Sequence, residues 1–235
     1  MELALYIGNK NYSSWSMRPW VLMKQSGISF TEKLVRFDSF AADSNFKKSI
    51  SQISSVGKVP VLVASSSSEV CTIWDSLAIC EYLAETYPDL SLWPSDKFNR
   101  FFARSLCAEM HSGFTALRTL CPMNIEAKLP EIGHRLIQEQ AEVRSDLNRF
   151  IQICEELLSK HNGPMLFGKF SIADAFFAPV CMRIHTYALP VTSAVQTYIS
   201  HVIALPSVAT WIKEAMLERD FREFEEINRN QKPHP

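Results

Sequence analysis

Apolar residues recur every three or four positions through most of this chain, the spacing that lines up one face of an α-helix, and only roughly the first eighty residues depart from it. There, short β-type runs alternate with helical ones. They are Leu3–Ile7, a helix ending at Gly27, Phe30–Arg36, a ragged helical stretch over Phe46–Ile53, Val59–Val63, Val70–Ile73 and a helix opening at Ser76. The predicted order is β-α-β followed by β-β-α. "ASSSSE", from Ala64 to Glu69, lies between two apolar runs and reads as a hairpin turn. "YPDLSLWP", from Tyr87 to Pro94, reads as a linker, because its two prolines stop the preceding helix and keep the chain extended. Beyond it, Phe98, Phe102, Leu106, Met110, Phe114 and Leu117 predict one long helix, and Leu136, Val143, Leu147, Ile151, Cys154 and Leu158 predict another. The expected organisation is an α/β domain over 1–86, a linker over 87–94 and an all-helical domain over 95–235.

Composition narrows the function classes. With 47% hydrophobic residues in 235, the chain can fill real cores. Its 24 Lys plus Arg against 25 Asp plus Glu leave no global field to draw in nucleic acid or an anionic membrane surface, so neither partner is expected. The start, MELALYIGNK, has neither a basic head nor a small-residue cleavage site, and no secretion signal is expected. Cys71, Cys80, Cys107, Cys121, Cys154 and Cys181 are widely separated with no C-x-x-C pair, which fits a reduced, cytoplasmic setting. His111, His134, His161, His185, His201 and His234 are scattered, so no metal cluster is expected.

Three places carry candidate chemistry. In "YSSWSMRPWVLM", residues 12–23, Ser13, Ser14 and Ser16 precede a helical run. A serine there caps the helix, or it places a hydroxyl where unpaired N–H groups and the helix dipole favour an anion. Arg18 follows in the first turn, where it opposes the dipole, and is expected to pair with a carboxylate. Pro19 is tolerated if the helix begins near Ser14 to Ser16. In "GKVPVL", residues 57–62, Pro60 cannot donate to a ladder and should mark a strand end, and a cis Val59–Pro60 bond would open the Val59 backbone to an extended peptide. In "IWDSLAICEYL", residues 73–83, Asp75 and Ser76 close a β-run and open an amphipathic helix, with capping again the structural reading. Further on, Ser171 and Asp174 in "FGKFSIADAFFAP" have capping-box spacing and are assigned to folding.

Taken in order, helix-opening serines, Val-Pro and Asp-Ser within a β-α-β-β-β unit followed by helices resemble the cytosolic glutathione transferases over nearly the whole chain. The likeness is to serine-type classes, zeta- or tau-like, in a bacterial branch. It implies a thioredoxin-like α/β domain joined to an all-α helical bundle, a homodimer, and glutathione as co-substrate between the domains, with a small hydrophobic electrophile as second substrate. The resemblance implies Ser13 as the residue supporting the glutathione thiolate, since it precedes Arg18 by five residues as in those classes. Ser14 stands in reserve, with Trp15 beside it. Val59 would pair its backbone to the cysteinyl unit, Asp75 would meet the γ-glutamyl ammonium, Ser76 its carboxylate, and Lys58 the glycyl carboxylate; Lys58 reads equally as a solvated surface charge. Trp15, Met110, His111 and Phe114 could face the cleft for the second substrate, although such a stripe usually belongs to a core. Trp15 stands where the zeta class has the cysteine of a Ser-Ser-Cys motif, which ranks zeta-like isomerisation behind conjugation. A third reading keeps the fold as a non-catalytic binding or regulatory protein.

Overall fold

The computed structural model describes residues 1–226 and Asn228. The first half is built on β1 (Glu2–Ile7), α1 (Ser14–Gln25), β2 (Thr31–Leu34), α2 (Asn45–Ser51), β3 (Val61–Ser65), β4 (Val70–Ile73) and α3 (Ser76–Thr86). The four strands form one sheet in the order β2-β1-β3-β4, with β1 and β2 parallel and the other pairs antiparallel. This is the thioredoxin-like arrangement. Ser66 N bonds Glu69 O at 2.8 Å and closes the expected hairpin turn. Pro60 sits just ahead of β3, whose ladder to β1 begins at Val61 opposite Tyr6, so its missing N–H costs the sheet nothing.

The second half is helical: α4 (Lys97–Ser112), α5 (Thr115–Leu120), α6 (Pro130–Glu139), α7 (Ala141–His161), α8 (Ile172–Tyr187), α9 (Ser193–Ala204) and α10 (Pro206–Glu218). Both long helices expected from periodicity are broken. The first stops at Gly113, and Phe114 adopts a left-handed conformation before α5. The second is interrupted at Gln140, whose extended backbone separates α6 from α7. The apolar spacing runs through both breaks because the segments on either side bury the same face.

α8 is buried all round except at His185, which makes it the central helix of the bundle. It packs against α1, and so joins the two halves through one apolar core. The box at its head forms: Asp174 Oδ2 accepts from Ser171 N at 2.9 Å, and Oδ1 accepts from Leu166 N and the Tyr198 hydroxyl. Burial pushes the Asp174 carboxyl up to about 6. A smaller apolar cluster of Tyr12, Phe37, Phe46, Ile50 and Val61 lies beside the sheet under the cleft described below. Gly8 makes it possible, since a Cβ there would collide with the Phe37 ring. All six cysteines are free, and only Cys71 is exposed.

Candidate functional site

α1 begins at Ser14 with Ser13 at its cap position, yet the Ser13 side chain makes no capping bond. Its Oγ instead joins Ser16 Oγ at 2.8 Å, and Ser16 Oγ accepts from Gly8 N at 3.2 Å. Here Ser13 is the donor to Ser16; rotating both hydroxyls lets Ser16 donate instead and turns the Ser13 proton toward a ligand. Ser14 Oγ accepts from Arg183 Nη2 at 3.2 Å. Both hydroxyls stand at the positive end of α1. Pro19 falls in the second turn, where it removes one backbone bond without ending the helix.

Across from these serines, the Val59–Pro60 peptide bond is cis, and Val59 lies ahead of the paired part of β3. At the head of α3, Asp75 is the cap, its Oδ1 accepting from Leu77 N at 3.0 Å. Its Oδ2 meets His111 Nε2 at 2.9 Å. Ser76 is fully buried, and its Oγ has no hydrogen-bond partner. Leu77 N and Ala78 N are taken by the Asp75 cap, so the Ser76 hydroxyl is what this helix start leaves open for a carboxylate.

The eight residues expected at the serine and glutathione site line two adjoining clefts. Ser13, Ser14, Trp15, Lys58 and Val59 line one of about 430 Å³, while Trp15, Lys58, Val59, Pro60, Asp75 and Ser76 line one of about 280 Å³. Trp15, Lys58 and Val59 belong to both, so the two form one trough.

Family models for the glutathione S-transferase N-terminal and C-terminal domains match residues 12–86 and 137–214. The chain belongs to the glutathione S-transferase family. It is 28% identical over 186 residues to a probable maleylacetoacetate isomerase of Caenorhabditis elegans, covering 79% of this chain and 80% of that one. It is 27% identical over 180 residues to glutathione S-transferase 1 of Dianthus caryophyllus, covering 76% and 75%. Among solved structures, a glutathione transferase homolog from Burkholderia gl BGR1 with bound glutathione superposes with a TM-score of 0.67 at 25% identity, over 94% of this chain and 100% of that one.

In this glutathione S-transferase one expectation about the site's surroundings needs correction, and one open alternative is decided. Among the described residues Arg18 pairs with no carboxylate: its guanidinium lies over the Trp15 ring at 4.1 Å and the Phe176 ring at 4.8 Å, and Nε and Nη1 have no hydrogen-bond partner there. Two aromatic faces replace the anion. Met110 and Phe114 do not face the cleft but are buried in the core, whereas Trp15 and His111 line it, in edge contact at 5.0 Å.

Sequence reasoning also missed part of the wall. Arg183 comes from α8, and the one cation in "FAPVCMRI" was the available signal, since an arginine within a fully buried helix needs a purpose. Glu225 arrives from the segment after α10, which returns over the site. That segment is held by Tyr12, whose hydroxyl donates to Glu226 Oε1 at 2.7 Å and accepts from Arg222 N. Burial and Glu226 raise the Tyr12 phenol to about 12. Among the described residues no group of His, Cys, Asp and Glu could hold a metal ion, and no helix is long and apolar enough to cross a membrane.

Proposed function

We propose that this glutathione S-transferase binds glutathione along the trough with the sulfur against the start of α1, and conjugates the thiolate to small hydrophobic electrophiles. The observation that carries this is the Ser13 hydroxyl, which lines the cleft at a helix N-terminus and does not cap the helix. The relatives named glutathione transferase, one of them with glutathione bound, support the same reading.

A cysteine thiol titrates near 8.5, so only a few per cent is thiolate at neutral pH. Lowering that value by two units takes about 2.7 kcal/mol. A hydroxyl bond to the anion contributes about 1.5 to 3 kcal/mol, and a helix N-terminus about 0.3 to 1. Together they suffice. Ser13 donates to the sulfur and keeps its own proton, Ser16 supports it from behind, and Ser14 is held in place by Arg183. At the other end Ser76, through its hydroxyl and its own backbone N–H, takes the γ-glutamyl carboxylate, and the exposed edge of Asp75 takes the ammonium. The Val59 backbone pairs with the cysteinyl unit as an added strand would, and Lys58 reaches the glycyl carboxylate.

Titration calorimetry with glutathione, followed by a conjugation assay with chlorodinitrobenzene, tests the proposal. Binding with turnover is expected; no affinity for the tripeptide would overturn it. A second reading, glutathione-dependent isomerisation, is favoured by the curated relatives named maleylacetoacetate isomerase. Turnover of maleylacetone without conjugation of any electrophile would select it.

A further inference from the structure

The loop that joins β1 to α1 is polar and yet buried: Asn9, Lys10, Asn11 and Tyr12 are all out of water. Such groups are costly inside a protein unless each is bonded, and each of these finds partners in the helical half of the chain. Asn9 Nδ2 donates to Asp220 Oδ2 at 2.8 Å. Lys10 N donates to Glu218 Oε1 at 2.9 Å, Trp211 Nε1 donates to Lys10 O at 3.0 Å, and Lys10 Nζ pairs with Glu214. Asn11 Nδ2 donates to Asn124 Oδ1 at 3.0 Å, and its Oδ1 accepts from Glu126 N at 2.9 Å. Tyr12 closes the series on Arg222 N and Glu226. A loop that only had to connect a strand to a helix would not require so many fastenings to α10 and the segments around it.

What the loop delivers is Ser13. Asn9 O accepts from Tyr12 N at 3.1 Å and from Ser13 N at 2.8 Å, so the Asn9 carbonyl sets where the serine stands. The Asn9 side chain is itself held from two sides, its Oδ1 accepting from Phe37 N at 2.8 Å while Nδ2 reaches Asp220. This amide can be oriented in only one way, since Phe37 N is a donor and the carboxylate an acceptor. Asp220 is in turn fixed by Arg36 and Arg222. A hydroxyl bond to a sulfur anion weakens steeply when its angle or distance is wrong, so the chain of contacts from Asp220 to Ser13 bears on the reaction.

We propose that Asn9 is a positioning residue for Ser13: its side chain, locked between Phe37 N and the Asp220 carboxylate, holds the carbonyl that fixes Ser13 N, and the segment after α10 thereby aims the Ser13 hydroxyl at the glutathione sulfur. This rests on the conjugation reading above. Asn9 is fully buried and acts only through Ser13.

Two substitutions at Asp220 separate geometry from charge. Asp220→Ala and Asp220→Asn both remove a negative charge, and by charge alone each would lower the pKa of a bound thiol. Only Asp220→Asn keeps an oxygen for Asn9 Nδ2. Asp220→Ala should therefore raise the pKa of enzyme-bound glutathione by about half to one unit and lower kcat about three- to tenfold, while Asp220→Asn stays within about twofold of the unsubstituted rate. Glutathione affinity at about pH 5.5, where the thiol is largely protonated, should stay within about twofold in both, because the far end of the tripeptide is untouched. Should Asp220→Ala fail to fold, exchanging the pair serves instead. Asn9→Asp alone sets two carboxylates against each other and should raise the thiol pKa; Asn9→Asp combined with Asp220→Asn restores donor and acceptor in reversed order and should bring it back. Equal thiol pKa values in Asp220→Ala and Asp220→Asn would overturn the inference, as would an exchanged pair that recovered thermal stability and left the pKa raised. An unsubstituted enzyme with no affinity for glutathione would strike down the conjugation reading, and the inference with it.

Discussion

The N-termini of α1 and α8 carry the same kind of residue and use it in opposite ways. At α8, Asp174 takes Leu166 N, Ser171 N and the Tyr198 hydroxyl, so its carboxylate is fully engaged by the fold. At α1, Ser13 and Ser14 make no capping bond, and both hydroxyls line the cleft. The head of α3 lies between these extremes, with Asp75 capping and Ser76 buried without a partner. A polar residue at a helix start is therefore structural or functional according to whether its hydrogen-bonding capacity is already filled.

Removing the filled cap should have the largest effect. Asp174→Ala leaves several buried donors unmade and should cost about 2 to 4 kcal/mol of stability, read from urea unfolding. Its pH dependence has a definite sign. The folded carboxyl titrates at about 6, above its ordinary 3.8. The folded state therefore holds the proton more tightly, and the contribution of Asp174 is full below about 4 and falls as pH rises through 6. The cost of Asp174→Ala should accordingly shrink from pH 4 to pH 7, by up to about 3 kcal/mol. A cost that grew over that interval would mean the buried carboxylate is ionised throughout.

Ser13→Ala should do the reverse: little change in unfolding, but a loss of about 10- to 100-fold in kcat/KM and a bound thiol pKa raised by about one to two units. Spectrophotometric titration of the enzyme-bound thiol reads the second quantity. If Ser13→Ala kept full rate and Ser14→Ala abolished it, the neighbouring serine would be the thiolate's partner. Ser76→Ala should weaken glutathione affinity by several-fold to about tenfold, with the thiol pKa unmoved, because it meets the far end of the tripeptide.

The residues that could be read from the sequence are those whose neighbours in the chain reveal them. Pro60 at a strand start, Asp75 at a helix start and the Ser171–Asp174 pair each announce a local geometry. The breaks at Gly113 and Gln140 were hidden because helical periodicity reports which face is buried and not whether the axis is continuous. Arg183 was hidden for another reason, since its partner Ser14 lies 169 residues away. Arg18 shows a limit of charge reasoning: a cation in a helix's first turns calls for compensation, and here the faces of Trp15 and Phe176 give it in place of a carboxylate.

The smallest predicted effect divides the two helix starts most sharply, because Ser16 touches the cleft only through Ser13. Its buried Oγ lies between Gly8 N and Ser13 Oγ. Ser16→Ala leaves the Ser13 hydroxyl in place without its support, so the rate should fall by only about two- to tenfold, with about 1 kcal/mol lost from stability through the orphaned Gly8 N–H. Ser16→Thr, which keeps the hydroxyl, should recover much of the rate. The decisive measurement is a double-mutant cycle: if Ser16 acts by orienting Ser13, adding Ser16→Ala to Ser13→Ala should lower the rate no further. Independent, multiplying losses would mean that Ser16 reaches the sulfur by another route, and the uncapped head of α1 would then be a shared cradle of hydroxyls with no single thiolate partner.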